Sequence, residues 1–436
     1  MTLLIELSTP DLRDFHASAH KDYEAFRARS VTLDLTRGKP APEQLDLSNA
    51  LLRLPDNMDY HLADGSDARN YGGGVQGLPE LRELFSPVMG APAGQIVIGN
   101  NSSLALMHDC IVYALLKGLP GSRAPWREAG GLKFICPVPG YDRHFAICEE
   151  FGIEMLCVEM TGEGPDMDEV ERLAAASGVK GMWCVPKYSN PSGDTYADNI
   201  VRRLAAMKTA EPDFRLFWDN AYALHNLTRP RREIQNILAE CERAGHPDRA
   251  FVFTSTSKMT LAGAGLGLFA SSPANVAWLT DRMCKRSIGP DKLNQLRHLR
   301  YLKTVAGLEE LMERHRALIV PKFDTIYAAF EKYLAGTGAA EWTRPEGGYF
   351  ISVDVIDGCA KRVVELAGDA GVAVVPAGAT YPYGRDPRDR NIRVAPTYPG
   401  VSDLKLAGEG IALSIRLAVS EKLLSERTQE TAAKSA

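Results

Sequence analysis

The 436-residue sequence predicts an α/β fold, a mostly parallel sheet of seven strands with helices on both faces, joined to a smaller α+β domain. Three observations predict it. From about residue 95, short runs that are apolar throughout alternate with longer helical patterns. An apolar run without polar alternation reads as a strand buried on both faces, and the helices between such runs supply the crossovers that parallel strands need. After about residue 305 the texture changes to one long helix and scattered short strands. The chain is also too long for one ordinary domain.

In order, the strand-like runs are 95–99, 132–137, 154–158, 181–185, 214–219, 250–255 and 266–271. Helical patterns fill 104–119, 144–151, 167–176, 197–208 and 231–244. A long helix over 308–333 follows, then a strand at 348–353, a helix at 361–370, strands at 372–375 and 392–395, and a final helix from 402. These boundaries predict a large domain over 50–305 and a small one from 1–49 with 306–425. The polar end, 426–436, is expected to be a disordered tail.

Composition narrows the function classes. A hydrophobic fraction of 45% with 24% charged residues is ordinary for a globular protein, and the net charge of -5 argues against a generic nucleic-acid or anionic-membrane binder. No apolar stretch approaches the roughly 20 residues that span a bilayer, and the first residues lack the basic and apolar regions of a secretion signal. The eight cysteines show no CxxC spacing and sit mostly in apolar runs, which predicts reduced thiols in a cytoplasmic protein and no metal site.

In an open α/β sheet, ligands bind beyond the carboxyl ends of the strands, so the residues just after each strand carry the functional signal. Asn100, Asn101, Ser102 and Ser103 follow the first strand and open a helix, an arrangement that suits a phosphate, although taken alone it reads first as plain N-capping. The run 214–219 ends in Asp219, with Tyr222 three residues on. A carboxylate there either caps a turn or is buried opposite a cationic partner such as a protonated pyridine nitrogen. Ser255, Thr256, Ser257 and Lys258 follow the strand 250–255, where desolvation can lower an amine's pKa and prepare it for Schiff-base chemistry; an exposed strand-end lysine is the ordinary alternative. Pro186 to Gly193 reads as a tight turn presenting the Asn190 amide. The glycines at 263, 265 and 267 lead into a strand instead of a helix, so they do not form a dinucleotide fingerprint.

Together these residues resemble the fold-type I, class I aminotransferases, which depend on pyridoxal 5'-phosphate. The markers run from about residue 37 to 395. Ser-Thr-Ser-Lys at 255–258 resembles the family's Ser-x-Ser-Lys, which implies that Lys258 forms the aldimine with the cofactor and shuttles its proton. Asp219 and Tyr222 match Asp-x-x-Tyr, implying that Asp219 pairs with the pyridinium nitrogen and Tyr222 reaches the phenolic oxygen, where Asn190 also donates. Tyr141 stands where the family stacks a ring on the cofactor, with His144 behind the key aspartate. Tyr71 resembles the tyrosine that reaches the neighbouring subunit's phosphate, so a homodimer with active sites at its interface is implied. Gly38 belongs to a loop like the one over the substrate, and Arg393 resembles the bidentate clamp on its α-carboxylate.

One position departs from the pattern. Many members carry a phosphate-binding arginine where this chain has Leu266, which leaves Ser102, Ser103, Ser255 and Ser257 as candidates for the phosphate. That departure, with Asn-Ser-Ser-Leu at 101–104, most resembles the bacterial subgroup Ic aspartate aminotransferases, so the implied reaction passes the amino group of aspartate to 2-oxoglutarate. Arg282, Lys285 and Arg286 form a basic cluster that suits a side-chain carboxylate or, equally, a solvated helix face. A pyridoxal-phosphate lyase would share these cofactor residues. An aminotransferase-like effector-binding regulator would need a DNA-binding module, and the roughly 35 residues before Arg37 show no helix-turn-helix pattern.

Overall fold

The computed structural model describes residues 3–435 except 73 and 129. Seven strands build one sheet: β1 (Ile96–Ile98), β2 (Lys133–Val138), β3 (Glu154–Glu159), β4 (Val179–Cys184), β5 (Arg215–Asp219), β6 (Ala250–Ser255) and β7 (Gly267–Ala270). Their order is β1-β7-β6-β5-β4-β2-β3. The β2–β3, β2–β4, β4–β5 and β5–β6 pairs are parallel, whereas β7 runs antiparallel to both neighbours. The predicted fold class is therefore the observed one. Every residue of β1, β4, β5 and β6 is buried, as apolar strands covered on both faces require. Strand β3 lies at the sheet edge and alternates exposure, which is why it tolerates glutamate at both ends.

The smaller part holds a three-stranded antiparallel sheet of Asn391–Val394, Ile351–Val355 and Ala340–Trp342. The N-terminal segment joins it in space: Leu33–Asp34 pairs in parallel with Val372–Ala373, and Phe26 of the helix Thr9–Arg27 packs in the same core as Ile411 of the last helix. The helix Val305–Leu334 links the two parts. Its start packs Leu308 and Leu311 with the large sheet, and its later turns pack Phe323, Ile326 and Phe330 with the small one. No helix among the described residues is long and apolar enough to cross a membrane.

Three expectations are corrected. The tail from 426, expected to be disordered, continues the final helix Val401–Ser435; residue 436 lies outside the described residues. Good helix formers and no breaker occupy that stretch, and Arg427 Nη2 donates to Ile5 O at 3.0 Å. The helix expected over 231–244 starts only at Ile237, because the Asn236 side chain caps it by accepting from Leu238 N and Ala239 N. The strand expected at 348–353 starts at Ile351, because Gly348 turns the chain at φ +87°.

Candidate active site

At the carboxyl end of β5, Asp219 is buried with 3% exposure. Its Oδ2 lies 3.2 Å from His144 Nε2, and its Oδ1 has no partner in the protein. His144 is held in turn: its ring stacks on Trp183 of β4, centroids 4.4 Å apart and planes 9° apart. One oxygen of this carboxylate is thus fixed and the other is spare. A spare, desolvated carboxylate oxygen calls for a cationic N–H donor.

Beyond β6, Ser255, Ser257 and Lys258 line the same cavity as Asp219, a space of about 270 Å³. Loss of solvation pulls the Lys258 amine below its ordinary pKa, and the charge of Asp219 opposes that pull. Nζ lies 5.1 Å from the centroid of Tyr222, so the amine sits over an aromatic face. The backbone that carries the lysine is held from behind. Tyr349 donates its hydroxyl to Lys258 O at 3.4 Å, and His315 Nε2 lies 2.9 Å from Met259 O. Gln44 Nε2 donates to Tyr349 Oη at 3.0 Å and lies 3.1 Å from His315 Nδ1. His298 Nε2 faces the hydroxyls of Thr256 and Thr260 at 3.2 and 3.0 Å. Burial pulls His298 down to about 4, so it accepts these bonds as a neutral ring. None of these supports was foreseen: Gln44, His298 and His315 carry no local sequence signal, and only the fold brings them to the lysine.

The end of the cavity that suits an anion is built where Ser103–Lys117 begins. Ser102 and Ser103 line it, and the Ser102 side chain makes no cap bond to its own helix. Ser257 donates its hydroxyl to Asn101 Oδ1 at 3.1 Å. Strand β7 runs close against this turn: a Cβ on Gly267 would stand 2.6 Å from Ser102 C. Leu266 is fully buried in the apolar core, its N–H donating to Thr256 Oγ1 at 2.9 Å. Among the described residues, Lys258 is the one cation that lines the cavity. Hydroxyls, backbone N–H groups and a helix N-terminus are what remain to meet a phosphate.

The predicted residues Ser102, Ser103, Tyr141, Asn190, Asp219, Tyr222, Ser255, Ser257 and Lys258 all line this one cavity. Arg393 adjoins it through Asn190: its Nη1 donates to Asn190 Oδ1 at 3.4 Å and to Asp142 Oδ1 at 3.0 Å, while its Nε has no partner. The guanidinium lies 4.9 Å from the Phe350 ring, and Gly38 abuts the far end of that ring so closely that a Cβ would stand 2.5 Å from Phe350 Cζ. Tyr71 does not line the cavity of its own chain and is 78% exposed. The basic cluster also lies elsewhere: Arg282 and Lys285 pair with Asp281, and Arg286 with Asp109.

Comparison with known proteins identifies the family. The sequence profile of the aspartate amino-transferase family matches residues 7–427. An aspartate aminotransferase of Corynebacterium glutamicum is 46% identical over 407 residues, 93% of this chain and 94% of that protein. A Mycolicibacterium smegmatis protein named only as an aminotransferase is 50% identical over 97% of this chain and 99% of its own length. The crystal structure of an aspartate transaminase from Corynebacterium glutamicum superposes with a TM-score of 0.95 at 45% identity, covering 97% of this chain and 99% of that one. A profile spanning nearly the whole sequence and relatives near half identity along their full lengths lead to one conclusion: this chain is an aminotransferase and belongs to the aspartate amino-transferase family.

Proposed function

We propose that the protein passes the amino group of aspartate to 2-oxoglutarate with pyridoxal 5'-phosphate as cofactor, as a fold-type I enzyme of subgroup Ic. The observation that carries this reading is that the Lys258 amine and the unpartnered Asp219 Oδ1 face one cavity of about 270 Å³. The residues suit the cofactor group by group. Asp219 Oδ1 would hold the ring nitrogen's proton, and Tyr222 and Asn190 would hold the phenolic oxygen. Ser102, Ser103, Ser255 and Ser257 would take the phosphate, and Tyr141 would cover the ring. Once bound, the cofactor supplies an electron sink for the charge that develops when the substrate Cα loses its proton.

The chain's own residues do the rest. Arg393 binds the substrate α-carboxylate with its spare guanidinium donors and so sets the direction of the Cα–H bond. Lys258 Nζ takes the Cα proton; its lowered pKa supplies a free amine nearer neutral pH than an exposed lysine would. His144 holds Asp219 in place through their 3.2 Å contact, and the Gly38 loop with Phe350 excludes water above the site. In this reading residues 50–305 form the cofactor-binding domain, and 1–49 with 306–425 form the domain that closes over it. The exposure of Tyr71 away from its own cavity supports a homodimer in which it reaches the partner's phosphate site. Eight free thiols support a cytoplasmic location.

The test is an absorbance titration of the purified protein. Aspartate is expected to bleach the visible band of the bound cofactor, and 2-oxoglutarate to restore it. Lys258→Ala is expected to abolish the band and lower turnover by about a thousandfold or more. A variant that keeps near wild-type turnover refutes the assignment, and release of pyruvate and ammonia in place of oxo-acid exchange would make the enzyme a lyase.

A further inference from the structure

A second cavity, also about 270 Å³, lies on the opposite face of the sheet, between Trp218 and Val252 and the segment 231–236 that the sequence predicted as helix. We propose that this cavity binds a small zwitterionic α-amino acid at a site separate from the catalytic one.

Three buried groups carry the inference. Lys187 lines the cavity at 4% exposure, and its Nζ donates to a single acceptor, Ala223 O at 2.8 Å. Among the described residues no carboxylate pairs with it, and its nearest ring, Tyr188, stands 5.1 Å from Nζ to centroid. An ammonium carries three donors, so two are left without a protein partner. The carbonyl oxygens Asn220 Oδ1 and Gln235 Oε1 line the same cavity, are buried, and accept no hydrogen bond. A buried cation whose nearest acid, Glu233, acts on it only at a distance, and buried acceptors without donors, each cost free energy, so such groups mark a place where something else belongs.

The three needs define one kind of molecule. Lys187 calls for a carboxylate, and Asn220 and Gln235 call for N–H donors; an α-amino acid brings a carboxylate and an ammonium one carbon apart. The mouth argues against a dianion. There Arg231, the one cation besides Lys187 in the described lining, donates to Glu233 at 2.6 Å and to Glu309 at 2.8 Å, so its charge is already matched by two acids. Burial lowers Lys187 to about 8, so at neutral pH the amine is still mostly charged and open to a carboxylate. The site also touches the back of the catalytic loops: Lys187 precedes Asn190 by three residues, and Asn220 follows Asp219 directly.

The test is calorimetric titration of the holoenzyme with glycine, which has the two charged ends and no side chain. Glycine also carries the α-carboxylate that Arg393 would clamp in the catalytic site, so the second-site affinity is read in Arg393→Ala, which is expected to keep glycine binding at the second cavity. Lys187→Met is expected to weaken it by about tenfold or more, the size of a lost charge-assisted hydrogen bond. Gln235→Leu, at a partly exposed position that the fold tolerates more readily, is expected to weaken it several-fold and keeps the test decisive should Lys187→Met fold poorly. Acetate is expected to bind more weakly than glycine. Three results overturn the proposal: no heat of binding for the wild type, binding lost in Arg393→Ala but intact in Lys187→Met, or acetate binding as tightly as glycine.

Discussion

Replacing Asp142 with asparagine is expected to tighten substrate binding, although it removes an ion pair. Arg393 Nη1 donates to Asp142 Oδ1 at 3.0 Å, with the arginine side chain 6% exposed and the aspartate 32% exposed. The substrate carboxylate proposed for Arg393 must compete with this internal carboxylate for one guanidinium. A fully exposed pair contributes about 0.2–1 kcal/mol, and removing one partner of a fully buried pair costs about 3–5 kcal/mol. This pair is buried on one side and part-solvated on the other, so about 1–2 kcal/mol is the reasonable span, or about 5–30-fold in affinity. Asparagine preserves the shape and a carbonyl acceptor while removing the competing charge. Steady-state kinetics with the amino-acid donor varied should therefore show KM falling by that factor, with kcat within about twofold. An unchanged or raised KM refutes the reasoning and makes Asp142 an orienting group for Arg393 instead of a competitor.

Other perturbations test the remaining parts of the site. Asp219→Asn keeps the shape of a buried side chain and removes its charge; the lost charge-assisted bond, about 1.5–3 kcal/mol, should weaken cofactor affinity by about 10–100-fold in a fluorescence titration, and affinity within twofold of wild type would sink the pairing. Gly267→Ala places a Cβ 2.6 Å from Ser102 C and 2.9 Å from Ser103 N, so overpacking of about 1–3 kcal/mol should appear as several-fold weaker cofactor binding; unchanged affinity would mean that the turn does not meet the phosphate. His298 is lowered from 6.5 to about 4 by burial, so the unfolded chain binds a proton that the native state refuses. Its stabilising share is full above pH 6.5 and lost as the pH falls toward 4, a loss of about 2 kcal/mol by pH 5. Thermal unfolding of His298→Gln should show a shallower dependence on pH over that window, and an unaltered slope would refute the linkage.

Much of the catalytic cavity is legible locally. Asp219 ends an apolar strand, Lys258 lies three residues after another, and Ser102 and Ser103 open the helix after a third. A parallel sheet gathers all such positions at one edge, so their order along the chain implies their convergence. Helix entrances were harder to place. Pro79 and Pro273 start helices that apolar periodicity alone did not mark, and Asn236 delays one by six residues and so opens the second cavity.

By itself, then, the sequence determined which chemistry stands at the strand ends, because an apolar strand and the polar residue that closes it are neighbours along the chain. Only the tertiary structure decided which groups hold that chemistry in place. Gln44 and His315 meet behind Lys258, and Asp142 meets Arg393, across 271 and 251 residues. Such pairings follow from how helices and strands pack, and packing sums many weak contacts that no short stretch of residues encodes.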